Sequence, residues 1–154
     1  MTDSSISFEE LEARADLVDV VVYEVSGKRR DGFDLPEGPA DLNKNDINIL
    51  QDGSDERIRI RCQIKVDARD GIYSVDVAAI FDLSEPTKLS DDLRDNFALH
   101  IGIPSVYPYL RVELQMAARR LGLKPPILAL FKPREHEVEL KQSARRSTTA
   151  QLES

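Results

Sequence analysis

The feature that most constrains this chain is a pair of alternating segments. In "ERIRIRCQIKVDA", Ile58, Ile60, Cys62, Ile64 and Val66 alternate with Arg57, Arg59, Arg61, Gln63, Lys65 and Asp67. In "GIYSVDVAAIFDL", Tyr73, Val75, Val77, Ala79, Phe81 and Leu83 alternate with Ile72, Ser74, Asp76, Ala78, Ile80 and Asp82. Successive side chains of a strand point to opposite faces, so each segment reads as a strand that buries one face. The short link "ARDG" joins them as an antiparallel hairpin. A four-residue loop pairs Val66 with Tyr73 and Ile64 with Val75, which brings both apolar sets to the same face.

The segments around the hairpin supply partners for that face. "SFEELEARA" carries a capping-box pattern, with Ser7 as N-cap and Glu10 three residues on, so residues 1–16 read as a short helix or an acidic lead-in. "DLVDVVVYEVSG" is β-branched and ends in glycine, a strand over about 17–26. "KRRDGFDLPEGPADLNKN" is broken by proline, glycine and asparagine and reads as a long loop with Phe33 and Leu35 isolated in it. "DINILQDG" is a short strand closed by an Asp-Gly turn signal. After the hairpin comes a helical turn from Ser90 onward, then a long helix from about Ser105 to Leu121. Pro108 is tolerated there as a first-turn residue, and Gly122 closes the helix. Residues 132–154 have no lasting apolar period and read as a mobile tail, with "EHEVELKQSARR" able to form a frayed helix.

The long helix has two apolar stripes. At about 100° per residue, Tyr107, Leu110, Leu114, Ala117 and Leu121 fall on one side, and Tyr109, Val112 and Met116 nearly opposite. Arg111, Gln115 and Arg119 divide them on one flank, Glu113 and Arg120 on the other. A surface helix packed on a sheet needs one stripe. The second is either covered by the following arm, "LKPPILALF", or faces another subunit or a client chain, and Met116 suits an adaptable contact.

Composition narrows the function classes. The chain has 154 residues, enough for one domain with a hydrophobic core, and is 41% hydrophobic and 32% charged. A net charge of −7 argues against a general nucleic-acid binder. A single cysteine forms no intramolecular disulfide and supports no cysteine-based metal site. No run approaches the roughly 20 apolar residues of a membrane span, and the acidic start lacks a signal-peptide core, so the protein is expected in the cytoplasm. His100 and His136 are far apart, and Asp91, Asp92 and Asp95 read as the solvated face or first turn of a short helix. No phosphate loop, nucleophile triad or paired-histidine motif is present, so no catalytic residue, metal or cofactor is expected. Arg57, Arg59, Arg61 and Lys65 form a basic strip with two readings. It is a solvated sheet face with cross-strand partners such as Asp76 and Asp82, or it docks an acidic partner.

Three features together resemble the SecB-type export chaperones and their SecB-like relatives. Tyr107-Pro108-Tyr109-Leu110-Arg111 is similar to the aromatic-Pro-Tyr-x-Arg signature that opens the family's long helix, and Ala79-Ile80-Phe81 to its Gly-Ile-Phe segment. The order strand, crossover loop, three strands, long helix and proline-rich arm matches over about 17–131. The resemblance implies an α+β fold, a four-stranded antiparallel sheet with a long helix and short helices packed on one face. It also implies a homotetramer, a dimer of dimers, that holds unfolded clients in hydrophobic grooves without ATP or any cofactor. On this chain the groove would draw on Phe33, Leu35, Tyr107, Tyr109, Val112, Met116, Ile127, Leu128, Leu130 and Phe131. Expected partners are unfolded preproteins or the antitoxin of a toxin–antitoxin pair. The export branch docks the SecA motor on an acidic outer sheet face, whereas Arg57, Arg59 and Arg61 make this one locally basic. After Pro125 the chain also runs "PILALFKP" in place of the family's usual element. The rival reading is a non-enzymatic adaptor that binds one folded partner through the basic strip.

Overall fold

The computed structural model describes residues 6–30 and 44–128. In chain order these form helix α1 (Phe8–Arg14), strands β1 (Ala15–Arg29), β2 (Lys44–Gly53), β3 (Arg57–Asp67) and β4 (Gly71–Leu83), helix α2 (Asp91–Phe97), a π-helical turn (Ala98–Gly102) and helix α3 (Ile103–Arg120). The strands make one antiparallel sheet in the order β1-β4-β3-β2. The hairpin register is as its alternation predicts, with Val66 opposite Tyr73 and Ile64 opposite Val75. The Ala68 N–H donates to the Gly71 carbonyl at 2.9 Å and closes the turn.

The alternation decides where the core lies. Ile58, Ile60, Cys62, Ile64 and Val66 join Tyr73, Val75, Val77, Ala79, Phe81 and Leu83 in one buried cluster with Leu11, Leu93, Phe97, Ile103, Val106, Leu110 and Leu114 of the helices. Burying each large aliphatic side chain contributes roughly 1.5–3 kcal/mol, so the helix-covered face dominates the stability of the fold. Phe81 meets Phe97 edge to face at 5.0 Å, which ties the end of β4 to α2.

Several elements run longer than their sequence signals. Strand β1 spans 15 residues because β4 pairs with it throughout, from Ala15 opposite Leu83 to Arg29 opposite Gly71. Its register shifts between Leu17 and Asp19 and again between Val22 and Glu24, so Val18 and Tyr23 are bulged. The Ser7 Oγ accepts from the Glu10 N–H at 3.1 Å, and the short-helix reading of the N-terminus is the observed one. The Ser90 Oγ caps α2 in the same way, with Asp91 and Asp92 in its first turn.

Helix α3 begins at Ile103, two residues before the expected start, because the π-helical turn feeds it directly from α2. Pro108 therefore lies inside the helix and not in its first turn. The carbonyl its ring displaces belongs to Pro104, and both prolines are exposed. Gly102 touches β3 closely: a Cβ there would stand 2.5 Å from Ile60 Cγ1. At the other end Gly122 has φ 71°. Its N–H reaches the Arg119 carbonyl and that of Leu123 the Ala118 carbonyl, each at 3.0 Å, a complete Schellman cap.

Candidate functional site

The two stripes of α3 have different fates. Tyr107, Leu110, Leu114 and Ala117 are buried against the sheet, with Ile103, Val106 and Ala118 beside them. Tyr109, Val112 and Met116 are 45%, 51% and 44% exposed. One helix thus completes the core with one side and presents an apolar row on the other.

The arm after α3 folds back to Arg111, on the flank of the helix. From Leu121 to Leu128 it has no regular secondary structure, and Leu128 turns back into the core while Ile127 points out at 80% exposure. The Arg111 guanidinium lies 5.3 Å from the centre of the Tyr107 ring, and its Nη2 reaches the Leu128 carbonyl at 3.5 Å. Burial pushes the Tyr107 phenol up, and the nearby Arg111 charge opposes that shift.

Of the expected client-facing residues, Tyr109, Val112, Met116 and Ile127 are exposed. Tyr107 and Leu128 are not: Tyr107 belongs to the core-side stripe with Leu110 and Leu114, and the returning arm carries Leu128 inward. Phe33, Leu35, Leu130 and Phe131 lie outside the described residues.

The three arginines of the basic strip are each paired with an aspartate. Arg57 Nε donates to Asp82 at 2.7 Å, Arg59 Nε to Asp52 at 2.7 Å, and Arg61 to both Asp76 oxygens at 2.9 and 2.6 Å. Hydrogen bonds to these carboxylates raise the pKa of each guanidinium above its ordinary value. Tyr23, brought to this face by the second bulge of β1, receives the Arg59 Nη1 donor at 3.0 Å and lies 4.2 Å under the Arg61 guanidinium. Asp76 is consequently only 3% exposed although it points away from the core. Lys65 is exposed. Asp76 and Asp82 are the expected cross-strand partners, of Arg61 and Arg57.

Strand β1 holds apolar surface that its sequence did not reveal as exposed. It ends the sheet, and Leu17, Val18, Val22, Tyr23 and Val25 are all exposed. Leu17, Val22 and Val25 face the helix side, opposite Phe81, Val77 and Val75. The run "VVVYEV" has no clean alternation, and only the bulges show which residues face which way.

Chemistry-bearing groups are scarce among the described residues. Cys62 is buried, and desolvation, aided by the Asp76 charge, pushes its thiol up to about 12, which keeps it protonated and inert. His100 is exposed, its ring meeting Phe8 edge to face at 6.1 Å. Among the described residues no three or more His, Cys, Asp or Glu side chains are grouped to hold a metal ion. An open groove of about 430 Å³ bordered by Ser54, Glu56, Asp82 and Glu85 is predominantly polar, unlike the apolar pockets that hold small ligands. No helix among them is long and apolar enough to cross a membrane.

Comparison with known proteins places this surface in context. The chain is 32% identical over 133 residues to the SecB-like chaperone SmegB of Mycolicibacterium smegmatis, covering 84% of this chain and 86% of that protein. Its fold matches the SecB-like chaperone of Mycobacterium tuberculosis, solved in complex with a ChAD peptide from the HigA1 antitoxin. That match has a TM-score of 0.64 at 18% identity and covers 79% of this chain and 94% of the other. A Streptococcus agalactiae protein of unknown function aligns with a TM-score of only 0.42. No family model matches the sequence.

Proposed function

The chain belongs to the SecB-like chaperone family, and from that premise we propose that it holds unfolded polypeptides on the surface formed by Tyr109, Val112, Met116 and Ile127. The observation that carries this is the half-exposed second stripe of α3 on a helix whose first stripe already completes the core. Apolar burial is non-directional and contributes roughly 25 cal/mol per Å², so such a row grips many sequences without reading one. Weak contacts of this kind hold a chain firmly when several act on it together.

The holding step calls on no nucleotide, metal or catalytic group, and we place it in the cytoplasm. Clients are extended chains: unfolded preproteins, or an antitoxin segment of the kind bound by the structural relative. Assembly into a tetramer fits the exposed edge strand β1, whose five large exposed residues a sister subunit would cover. The adaptor alternative is disfavoured by the ion pairs that occupy Arg57, Arg59 and Arg61.

The test is suppression of aggregation of a slowly refolding client by stoichiometric protein without ATP. The purified protein is expected to suppress it, and Tyr109→Asp or Ile127→Asp to lose suppression while keeping native circular dichroism. Full suppression by both folded variants would refute the surface assignment.

A further inference from the structure

Strand β1 is longer than the strand it pairs with, and the excess falls at defined places. Between Leu17, opposite Phe81, and Val25, opposite Val75, it sets seven residues against the five of 76–80. Val18 and Tyr23 are the extra ones. No glycine lies in 17–25, and no residue there has a positive φ, so neither bulge is fixed by left-handed backbone.

The second bulge admits two arrangements. Val21 stays opposite Ala78 and Glu24 opposite Asp76 whichever of the two residues between them is the extra one. In the structure Val22 takes the place opposite Val77, on the helix side, and Tyr23 turns outward. In the other arrangement the tyrosine ring takes the helix-side place and the valine turns outward. The rest of the strand keeps its partners, so the two registers differ in the surroundings of one valine and one tyrosine.

Those surroundings favour the observed register. On the outer face the Tyr23 hydroxyl accepts from Arg59 Nη1 at 3.0 Å, and its ring lies 4.2 Å under the Arg61 guanidinium. The ring thereby reaches from β1 over β4 to β3. Beside it Ala78, an outward-facing residue of β4, is fully buried. On the helix side the place opposite Val77 lies in an aliphatic row with Leu17, Val20 and Val25, and the sheet itself separates it from both arginines.

We propose that Tyr23 is the register lock of the edge strand: its contacts with Arg59 and Arg61 decide that Val22, and not the tyrosine, joins the helix-side face of β1. The polar outer face of the sheet thus sets the make-up of the apolar face behind it. The proposal is independent of what the surface of α3 binds.

Moving the tyrosine by one residue tests it. In Val22→Tyr/Tyr23→Val protein the composition of the strand is unchanged, and the bulge is expected to follow the ring. Methyl-labelled NMR should then show nuclear Overhauser contacts from Val77 to the methyls at position 23, and from the relocated ring to the Arg61 side chain. A relocated ring in contact with Val77, in folded protein, would overturn the proposal. Tyr23→Val alone removes both outer contacts. It is expected to shift the ratio of the two registers by about tenfold, with a second set of Val77 methyl signals. Tyr23→Phe, which keeps the ring under Arg61, should restore part of the preference. A merely stabilising tyrosine would lower the urea midpoint of Tyr23→Val and leave one register. If the exchanged protein fails to fold, Tyr23→Val carries the test: a single set of Val77 signals in contact with Val22 would equally overturn the lock.

Discussion

The outer face of the sheet and the outer stripe of α3 both stand out in the sequence, and they end in opposite conditions. On the sheet, Arg57, Arg59 and Arg61 find Asp82, Asp52 and Asp76 within the same chain, and Tyr23 covers two of the guanidinium groups. On the helix, Tyr109, Val112 and Met116 stay about half exposed. The difference is one of physics. Charged groups are satisfied by a few directional bonds to a neighbouring strand, whereas apolar surface gains only by leaving water, and a helix already packed on its sheet has no second layer to offer. The surface that looks more functional by charge is the self-contained one. The one that looks like ordinary core is unfinished.

That contrast can be broken or sharpened by experiment. The largest effect is expected from Asp76→Ala. It leaves Arg61 over a nearly buried site without its bidentate partner, and partial exposure of Arg61 moderates the loss to about 2–3 kcal/mol in urea unfolding. Client binding should not change, since the sheet face is structural. If D76A instead weakened client capture at full stability, the division between the two surfaces would fail.

Val112→Asp should behave in the reverse manner. Stability is expected to stay within about 0.5 kcal/mol, because the site is exposed, while affinity for an unfolded client falls by about tenfold or more. Paired titration and urea curves on the same preparation give both numbers.

Cys62 reports on the core that separates the two surfaces. Its folded pKa, about 12, lies above the unfolded value of 9.0, so its contribution is complete below about pH 9 and is lost as pH rises toward 12. Urea midpoints should fall across that window with a slope no steeper than about 1.4 kcal/mol per pH unit. Cys62→Ala should flatten this component; an unchanged slope would assign it to other groups.

The smallest change is expected from Arg59→Ala. Its pair with Asp52 is partly exposed, and exposed ion pairs contribute at most about 1 kcal/mol. Salt should weaken the effect further. A loss beyond 2 kcal/mol would mean that the Tyr23 contact couples the whole outer face.

Much of this was legible in the chain. Period-two alternation named every inward residue of β3 and β4, and with the short link it set their register. Ser7, Ser90 and Gly122 marked helix ends because capping is local chemistry. The two stripes of α3 followed from the helical repeat, as did the burial of Leu110 and Leu114. Other features were not legible. The start of α3 depends on the π-helical turn and on Gly102 lying against Ile60, a contact between residues 42 positions apart. The faces of β1 depend on bulges set by its pairing with β4.

The sequence by itself therefore determined which face of each regular element is apolar, because periodicity is a property of neighbours along the chain. Only the tertiary structure decided which apolar faces are used up. It buried Tyr107 and Leu128, left Tyr109, Val112 and Ile127 in water, and closed the arginine strip on its own aspartates. Those outcomes rest on which groups meet across distant parts of the chain, and no local pattern encodes a meeting.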